Sequence, residues 1–320
     1  AIRISRSKHT PPAGLTEAER LRLRVVARRT WLFFETFVSP EDQWLAPDHF
    51  QEDPKREVAH RTSPTNTGLM LTSTLAAANF GYVGLGSVLL RLRNAFQTMD
   101  RMERYRGHFL NWYDTRSLEP LEPRYVSTVD SGNLAAALLT VKQACQGFFH
   151  TEILGSRRWH GLLDTLDALG QAVEVAAASL GREQLADLRV YLDGLIARVQ
   201  ATAEDPAAAI RTMLDLAADA PPELDRLLLA VLSEGVEEQP AHALAEVGTW
   251  IGRLQNHLEG MRREAQLLVP WRRFLAEAPA ELAGGAAAGG LSAAWEAFLA
   301  GFPLHPALGA IGGICSDGLN

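Results

Sequence analysis

The chain has 320 residues, of which 47% are hydrophobic and 22% charged, and its formal net charge is −7. This composition is typical of a globular protein and excludes a disordered chain. The negative charge and the lack of a long basic block argue against a nucleic-acid surface, so we expect no nucleic-acid partner. The two cysteines form no CxxC metal or redox motif, and we expect Cys145 to be a buried free thiol.

No apolar run approaches the ~18 residues that would span a bilayer, so we expect no transmembrane segment. The N-terminal sequence AIRISRSKHTPP is polar and lacks the apolar core of a signal peptide. The chain does not begin with Met, and its C-terminal sequence GAIGGICSDGLN has no visible helix stop. We therefore expect a piece of a longer protein.

The first half of the chain predicts helices separated by polar loops. Residues 1–14 are predicted as a linker, and an apolar stripe predicts a helix over 16–38, followed by an irregular loop over 39–53. Ser63 as N-cap and Pro64 at the first helical position predict the start of a second helix, which should end near 79–81.

A third helix is predicted over about 87–104. The alternation in 109–114 and 124–128 predicts a short β-hairpin across 115–123. Asp130 or Ser131 is then predicted to cap a further helix that runs through Gln146. Helices that alternate with polar, aromatic loops are typical of a helical toroid rather than of a parallel α/β sheet.

The second half reads as a bundle of Leu- and Ala-rich helices. Apolar residues recur every three or four positions over 162–180 and again over 185–199, which predicts packed helical seams. A helix break is expected at Pro270, and the Gly-rich run 284–290 is expected to be a flexible connector. We divide the chain into a linker (1–14), a toroid region (15–149), a helical bundle or insertion (150–280), and a flexible linker with an incomplete C-terminal segment (281–320).

Two segments carry the chemistry, HRTSPTNTG at 60–68 and RGHFLNWYDTRSLEPLEPRYVSTVDSGN at 106–133. Both combine aromatic rings with carboxylates, amides and guanidinium groups in short loops. An aromatic ring can cover the C–H face of a sugar, and the charged and amide groups can share hydrogen bonds with its hydroxyls. These segments therefore indicate a carbohydrate-binding surface.

The same segments, together with RTWLFFETFVSPEDQWLAPDHFQEDPKREVAHRTSPTNTGL, resemble the central region of bacterial cyclic β-1,2-glucan synthases. The resemblance is dense over about 16–146. It implies an all-α fold in which 15–149 is the N-terminal part of a glucoamylase-like (α/α)6 barrel, with the helical bundle added and the short hairpin in a loop.

The resemblance also implies a function. This region would bind linear β-1,2-glucan and help to close it into a ring by transglycosylation. It would act as part of a larger enzyme, and this fragment alone would be inactive. The other domains of the synthase, a glucosyltransferase and a phosphorylase-like module, would be its partners. The region would lie on the cytoplasmic side of the inner membrane and would hold no cofactor and no metal. The chief catalytic carboxylates would lie in the later half of the barrel.

The candidate catalytic residues are Asp130 and Asp114. Two carboxyl groups cleave a glycosidic bond, one as acid and the other as nucleophile or base. The alternatives are structural: Asp130 could serve only as an N-cap, and Asp114 could open an Asx-turn. His60 and His108 lack metal-ligand spacing, and we interpret both as structural.

The candidate sugar-binding residues each have a structural alternative. Trp112 and Tyr113 would be stacking platforms or, instead, hydrophobic anchors of the hairpin. Arg61 and Arg124 could bridge glucose hydroxyls or pair with acids to fix loops. The other candidates are Asn66, Ser131 and Asn133, with Trp44 and Asp48 as possible extensions of the groove.

Two further interpretations of the function remain open. The chain could be a non-catalytic module that only guides the glucan, or a structural spacer whose Ala- and Leu-rich bundle holds neighbouring domains. The tryptophans at 159, 250, 271 and 295 lie in apolar helical patterns, and we interpret them as packing residues.

Overall fold

The computed structural model describes residues 14–203, 206–233, 238–271 and 306–317. These residues form an all-α fold, as predicted. The linker 1–14, apart from Gly14, and the Gly-rich run 284–290 lie outside the described residues. The helices are α1 (Glu17–Phe37), α2 (Pro64–Phe80), α3 (Leu85–Arg101), α4 (Thr128–Phe148), α5 (Ser156–Leu180), α6 (Ala186–Ala203), α7 (Pro206–Ser233), α8 (Glu238–Leu268) and α9 (Ile311–Asp317).

Short strands lie in the loops of the N-terminal half, and the pairs among the described residues are antiparallel. Single turns of 3₁₀ helix cover Pro40–Asp42 and Leu308–Ala310. The strand pairs are β1 (Phe50–Gln51) with β2 (Glu57–Val58), β3 (Arg61–Thr62) with β6 (Tyr113–Asp114), and β4 (Arg104–Tyr105) with β5 (His108–Phe109).

The starts of α1 and α2 follow from local sequence. Thr16 and Glu19 form a reciprocal capping box at the start of α1. Ser63 accepts a hydrogen bond from the backbone N–H of Asn66, and Pro64 occupies the first position of α2, as predicted. Helix α2 ends at Gly81, whose φ of 83° is left-handed. A Cβ there would also lie 1.9 Å from the carbonyl oxygen of Arg157, so no larger residue fits this turn.

Helices α2 and α4 lie side by side and run in the same direction. The hydroxyl of Thr65, near the start of α2, bonds to Asp130 near the start of α4. Farther along, a Cβ on Gly68 would lie 3.1 Å from the Cβ of Ala137 and 3.4 Å from the Cα of Leu134. Helix α3 lies between them in the sequence, yet α2 and α4 pack directly on each other as parallel neighbours. This packing brings the N-termini of both helices to one end.

The start of α4 differs from the prediction. Ser127 is the N-cap, and its hydroxyl accepts from the backbone N–H of Asp130 at 3.2 Å. Asp130 and Ser131 therefore lie inside the first turn. The Val-Ser-Thr sequence before Asp130 offered an earlier capping hydroxyl, and the chain uses it. The Asp130 side chain is thereby free to face α2.

The predicted hairpin between 109–114 and 124–128 forms only in part. Tyr113 makes an antiparallel bridge with Pro120, and the N–H of Asn111 donates to the carbonyl of Tyr125 at 2.8 Å. The strand ladder of Tyr113–Asp114 is instead with Arg61–Thr62, about fifty residues earlier in the chain. A regular two-residue hairpin forms nearby, between β4 and β5. Its two loop residues, Arg106 and Gly107, have positive φ angles of 51° and 87°. The favoured two-residue hairpin turn requires this left-handed conformation at both positions.

The described part of the chain contains two hydrophobic clusters. One is built from α1 to α4 and the loops between them, and the other mainly from α5 to α8. The predicted seams over 162–180 and 185–199 are confirmed, since almost all of their apolar residues are buried in the second cluster. Trp159, Trp250 and Trp271 are buried as predicted, whereas Trp295 lies outside the described residues. Helix α8 ends at Leu268, just before Pro270.

A buried polar seam joins α1 to α5 and α8. The side chain of Arg28 is 1% exposed and donates to the hydroxyl of Thr165 at 2.9 Å. Its guanidinium also pairs with Glu35 at 3.0 Å and lies over the rings of Tyr82 and Trp250 at 5.4 and 5.0 Å. Burial lowers the pKa of Arg28, and the nearby Glu35 partly opposes this effect. A buried arginine needs such partners. These contacts of Arg28 therefore determine how α1 packs on the helical bundle.

Cys145 is exposed on α4, so the prediction that it is buried is wrong. The apolar run in which it lies has only one face against α2, where Leu134, Ala137 and Val141 are buried. Among the described residues, no helix is both long and apolar enough to cross a membrane.

Candidate functional site

The first group of site residues, which we call the Asp130 cluster, consists of Asp130, Thr65 and Asn133. The Thr65 hydroxyl donates to Oδ1 of Asp130 through a short hydrogen bond. The Asn133 amide donates to the same hydroxyl at 3.0 Å. The cluster therefore lies where the first turns of α2 and α4 meet. Asp130 is partly buried, and the N-terminus of α4 favours its negative charge.

The Asp130 carboxyl is held in its ionised form. Partial burial is the largest influence and raises its pKa, but hydrogen bonds from Ser127 and Thr65 together outweigh burial, so the pKa lies below its ordinary value. An ionised carboxylate can accept hydrogen bonds from sugar hydroxyls or act as a nucleophile or base. It is not suited to be a proton donor.

The second group, which we call the Asp48 cluster, consists of Asp48, Arg61, Asn66 and Trp112. Arg61 donates from both Nε and Nη2 to Oδ2 of Asp48, at 3.2 and 2.9 Å. The Asn66 amide donates to Oδ1 at 3.2 Å. The guanidinium carbon of Arg61 lies 5.1 Å from the centroid of the Trp112 ring. Trp112 is half-buried, and Arg61 covers one face of its indole.

Asp48 is also ionised. Burial raises its pKa, whereas hydrogen bonds from Arg61, Asn66 and His49 lower it by more, so the net shift is downward. With its oxygens occupied by a guanidinium and an amide, Asp48 orients Arg61 and Asn66. It was expected only as an extension of the groove, and the structure makes it the centre of this cluster.

The two clusters meet at consecutive residues of α2. Thr65 belongs to the Asp130 cluster and Asn66 to the Asp48 cluster, and both lie in the first turn of the helix. The two polar segments that the sequence analysis selected are therefore neighbours in the fold. Thr65 was not among the predicted site residues. The signal that could have identified it is its position directly after the Ser63-Pro64 helix start.

Asp114 has the structural role that was left open for it. Its Oδ1 accepts from the backbone N–H groups of Arg116 and Ser117 at 2.9 and 2.8 Å, which is an Asx-turn. Burial raises the pKa of Asp114, but these backbone hydrogen bonds outweigh burial and leave the pKa lowered. Its backbone pairs with Arg61 in the β3–β6 ladder. Asp114 therefore shapes the loop beside the Asp48 cluster.

Tyr113 is not available as a stacking platform, and that prediction is wrong. Its ring is 0% exposed and packs in the first hydrophobic cluster. The hydroxyl donates to the carbonyl of Glu103 at 2.7 Å and accepts from the N–H of Leu110 at 2.6 Å. Because strand neighbours point to opposite faces, Trp112 and Tyr113 cannot both face a ligand.

The remaining predicted residues lie in different settings. Arg124 pairs with Glu103 at the surface and contacts neither cluster in the described hydrogen bonds and ion pairs. The hydroxyl of Ser131 is buried, with no hydrogen-bond partner among the described residues. Trp44 packs against the first hydrophobic cluster.

A second network, which sequence reasoning missed, supports the site from behind. Buried Asp42 accepts from Nδ1 of His60 at 2.7 Å and from the hydroxyl of Thr115 at 2.5 Å. The other ring nitrogen of His60 lies 2.8 Å from the guanidinium of Arg116. Both nitrogens are thus engaged, which favours the structural interpretation of His60. The network ties the loop after α1 to the residues that flank β3 and β6. His108, which we also interpreted as structural, lies exposed in the β4–β5 hairpin.

An open depression of about 460 Å³ adjoins the Asp48 cluster. Its wall includes Arg61 and Asp114, together with His49, Gln51 and Glu57. Acidic, basic and neutral polar side chains line it, as expected for a surface that forms hydrogen bonds with a hydroxyl-rich ligand. It shares Arg61 with the Asp48 cluster and therefore lies beside that cluster.

The chain is similar to known proteins. No protein-family model matches it. It is 37% identical over 262 residues to the cyclic beta-(1,2)-glucan synthase NdvB of Rhizobium meliloti (strain 1021), a match that covers 78% of this chain and 9% of that protein. A solved structure of a glucoamylase-like protein from Bacteroides fragilis NCTC 9343 covers 42% of this chain and 33% of its own, at 21% identity and a TM-score of 0.34.

The identity to the synthase relates the chain to a known family, and the chain spans 9% of the length of that relative. The resemblance inferred from the two polar segments is confirmed: this chain is a homologue of one segment of a cyclic β-(1,2)-glucan synthase.

Proposed function

We propose that this chain is the N-terminal arc of an (α/α)6 barrel within a larger synthase, where it binds linear β-1,2-glucan and helps to cyclise it by transglycosylation. The Asp130 and Asp48 clusters would form the binding surface. The partners would be the glucan and the other domains of the synthase, a glucosyltransferase and a phosphorylase-like module. The region would lie on the cytoplasmic side of the inner membrane.

The observation that carries the proposal is the meeting of the two clusters at Thr65 and Asn66. It supports a single surface on which a carboxylate, an amide, a guanidinium and an indole lie within reach of one oligosaccharide. Because Arg61 covers one face of Trp112, the sugar would stack on the other face or on the free edge of the ring.

The proposed role of each carboxyl group follows from its protonation state. Glycosidic chemistry needs one carboxylic acid and one carboxylate. Asp130, Asp48 and Asp114 all have lowered pKa values, so none of these three fits the acid role. We assign to Asp130 the base, nucleophile or hydroxyl-acceptor role, and to Arg61, Asn66, Trp112 and Asn133 the binding of sugar units. The acid would come from the rest of the barrel.

The substitution Asp130→Asn in the full-length synthase tests this proposal. It keeps the size of the side chain and its capacity to bond with Thr65 but removes the charge. We expect ring closure to be lost while linear β-1,2-glucan is still made, because glucose transfer takes place in another domain. Mass spectrometry of the products distinguishes linear from cyclic glucan.

A matched control is Asp100→Asn, since Asp100 is an exposed aspartate whose ion pair with Arg104 lies within its own helix and the adjoining strand. It should leave both products unchanged. If Asp130→Asn gives normal rings of normal size, the catalytic assignment fails. If it only weakens glucan retention or alters chain length, the chain is the non-catalytic binding module instead.

A further inference from the structure

A second polar pocket lies at the opposite end of α2 and α4 from the Asp130 cluster. Its volume is about 300 Å³, and it is bounded by the α2–α3 turn, the loop after α4, the start of α5 and Glu264 of α8. Helix α2 has 17 residues, so at 1.5 Å per residue the pocket lies about 25 Å from the Asp130 cluster. It is therefore separate from the surface described above.

Two helices begin at this pocket without a side-chain cap. Both α3 and α5 have glycine at the N-cap, Gly84 and Gly155, and neither has a side-chain capping hydrogen bond. A carboxylate approaches each of them. A Cβ on Gly84 would lie 2.1 Å from the oxygens of Glu264, and one on Gly155 would lie 2.9 Å from Oε2 of Glu152. The two acids thus face the positive ends of two helix dipoles.

The buried pair at the back of the pocket is incompletely satisfied. The side chains of Arg158 and Glu264 are 8% and 9% exposed, and their closest approach is 3.4 Å, from Nε to Oε2. Nε of Arg158 has no hydrogen-bond partner among the described residues. Arg158 donates instead through Nη1 to the carbonyl of Gly81 at 2.5 Å. Glu264 lines the pocket and, among the described residues, accepts no hydrogen bond within normal distance, so its oxygens can accept from a hydroxyl group in the pocket.

The charges in the pocket favour a neutral ligand. Arg157 and Arg158 supply two positive charges, and Glu152 and Glu264 supply two negative ones. An anion would be attracted by the arginines and by the helix N-termini but repelled by both carboxylates. A hydroxyl group can donate to a carboxylate and accept from a guanidinium, so a polyhydroxylated molecule satisfies both kinds of group. The volume lies at the lower end of small-molecule pockets, which suits one sugar ring.

We propose that this pocket binds one neutral pyranose unit, with Glu152 and Glu264 accepting from its hydroxyls and Arg157 and Asn79 at the rim. The site would hold a monosaccharide or a chain end at a distance from the Asp130 cluster. This inference does not depend on the catalytic role proposed for that cluster, since it rests on the walls of the pocket alone.

Saturation-transfer NMR and calorimetry of this 320-residue chain with glucose test the proposal. Asn79→Trp places a large ring at the rim from an exposed position and should abolish glucose binding. Glu152→Gln, also at an exposed position, removes one charged acceptor and should weaken binding about tenfold, the equivalent of about 1.4 kcal/mol. Gln200→Trp, an exposed change on α6, is the matched control and should bind glucose as the unchanged chain does.

Thermal unfolding followed by circular dichroism confirms that each variant is folded before binding is measured. Glucose binding that survives Asn79→Trp overturns the proposal, as does the absence of any glucose binding to the folded chain. Inorganic phosphate is the competing probe: if it binds here in place of glucose, the pocket is an anion site and the proposal is wrong. Binding of β-1,2-gluco-oligosaccharides to the Asn79→Trp variant reports on the Trp112 surface separately, so the two proposals can fail independently.

Discussion

Thr65 is the residue on which the geometry of the Asp130 cluster depends. Its hydroxyl donates to Asp130 and accepts from Asn133, and it links α2 to α4. The substitution Thr65→Val keeps the branched shape of the side chain but removes the hydroxyl. We expect it to destabilise the fold, to raise the pKa of Asp130 and to weaken glucan binding at this surface.

The size of the effect follows from the type of hydrogen bond. A hydrogen bond to a charged group contributes about 1.5–3 kcal/mol. Asp130 is only partly buried, so solvent screening places the loss at the lower end, about 1.5 kcal/mol. Because the same hydrogen bond favours the ionised carboxylate, the pKa of Asp130 should rise in the folded variant.

The pH dependence has a definite sign. The pKa of Asp130 is lowered in the folded chain, so its ionised carboxylate contributes stability above its unfolded pKa of about 3.9. This contribution is lost as the pH falls through the folded pKa. The difference in unfolding free energy between the original chain and Thr65→Val should therefore be largest at neutral pH and shrink below about pH 4.

Urea unfolding at several pH values measures the difference, and an NMR titration of the Asp130 carboxyl carbon measures its pKa. Thr65→Ser keeps the hydroxyl and is the control, with both quantities near those of the original chain. If Thr65→Val changes neither stability at pH 7 nor the pKa of Asp130, the hydrogen bond between Thr65 and Asp130 does not contribute to the fold.

Three further predictions concern residues outside the Asp130 cluster. Tyr113→Phe should cost about 2 kcal/mol of unfolding free energy, because two buried backbone groups lose their hydrogen-bond partner. It should leave glucan binding unchanged, and reduced binding would show that Tyr113 contacts the sugar. Arg28→Met should cost about 3 kcal/mol of unfolding free energy, because it leaves the largely buried Glu35 with only Arg253 at 3.7 Å and the more distant Arg91 as neighbouring cations. Adding Glu35→Leu should recover most of this loss. Urea unfolding of both variants checks this, and equal loss in the two would contradict the ion pair between Arg28 and Glu35. In a Cys315→Ser background, Cys145 should react with a thiol reagent in the native chain about as fast as in the unfolded one, whereas protection would show that another surface covers α4.

Local chemistry explains why the helix boundaries could be predicted. Ser63, Pro64 and Gly81 specify the start and end of α2 through their own side chains or their lack of one. The periodicity of leucines over 162–180 specified a buried face because helical spacing alone places those residues on one side. The family likeness was also recognisable, since it rests on continuous runs of sequence.

Pairings between distant segments could not be predicted in the same way. Alternation over 109–114 shows that a strand is possible but not that its partner is Arg61–Thr62. Tyr113 looked like a ligand-facing ring because nothing local reveals that its hydroxyl meets the backbone at Glu103. The importance of Thr65 also depends on a helix that begins more than sixty residues later. These contacts are tertiary, and the sequence near each residue carries no record of them.

The proposed function requires that one oligosaccharide span both clusters. The decisive measurement is a crystal structure of this chain with a β-1,2-gluco-oligosaccharide. We expect continuous sugar density that touches the indole of Trp112 and places a hydroxyl within hydrogen-bond distance of Asp130. Sugar bound elsewhere, or bound at one of these residues with the other left in solvent, would contradict it.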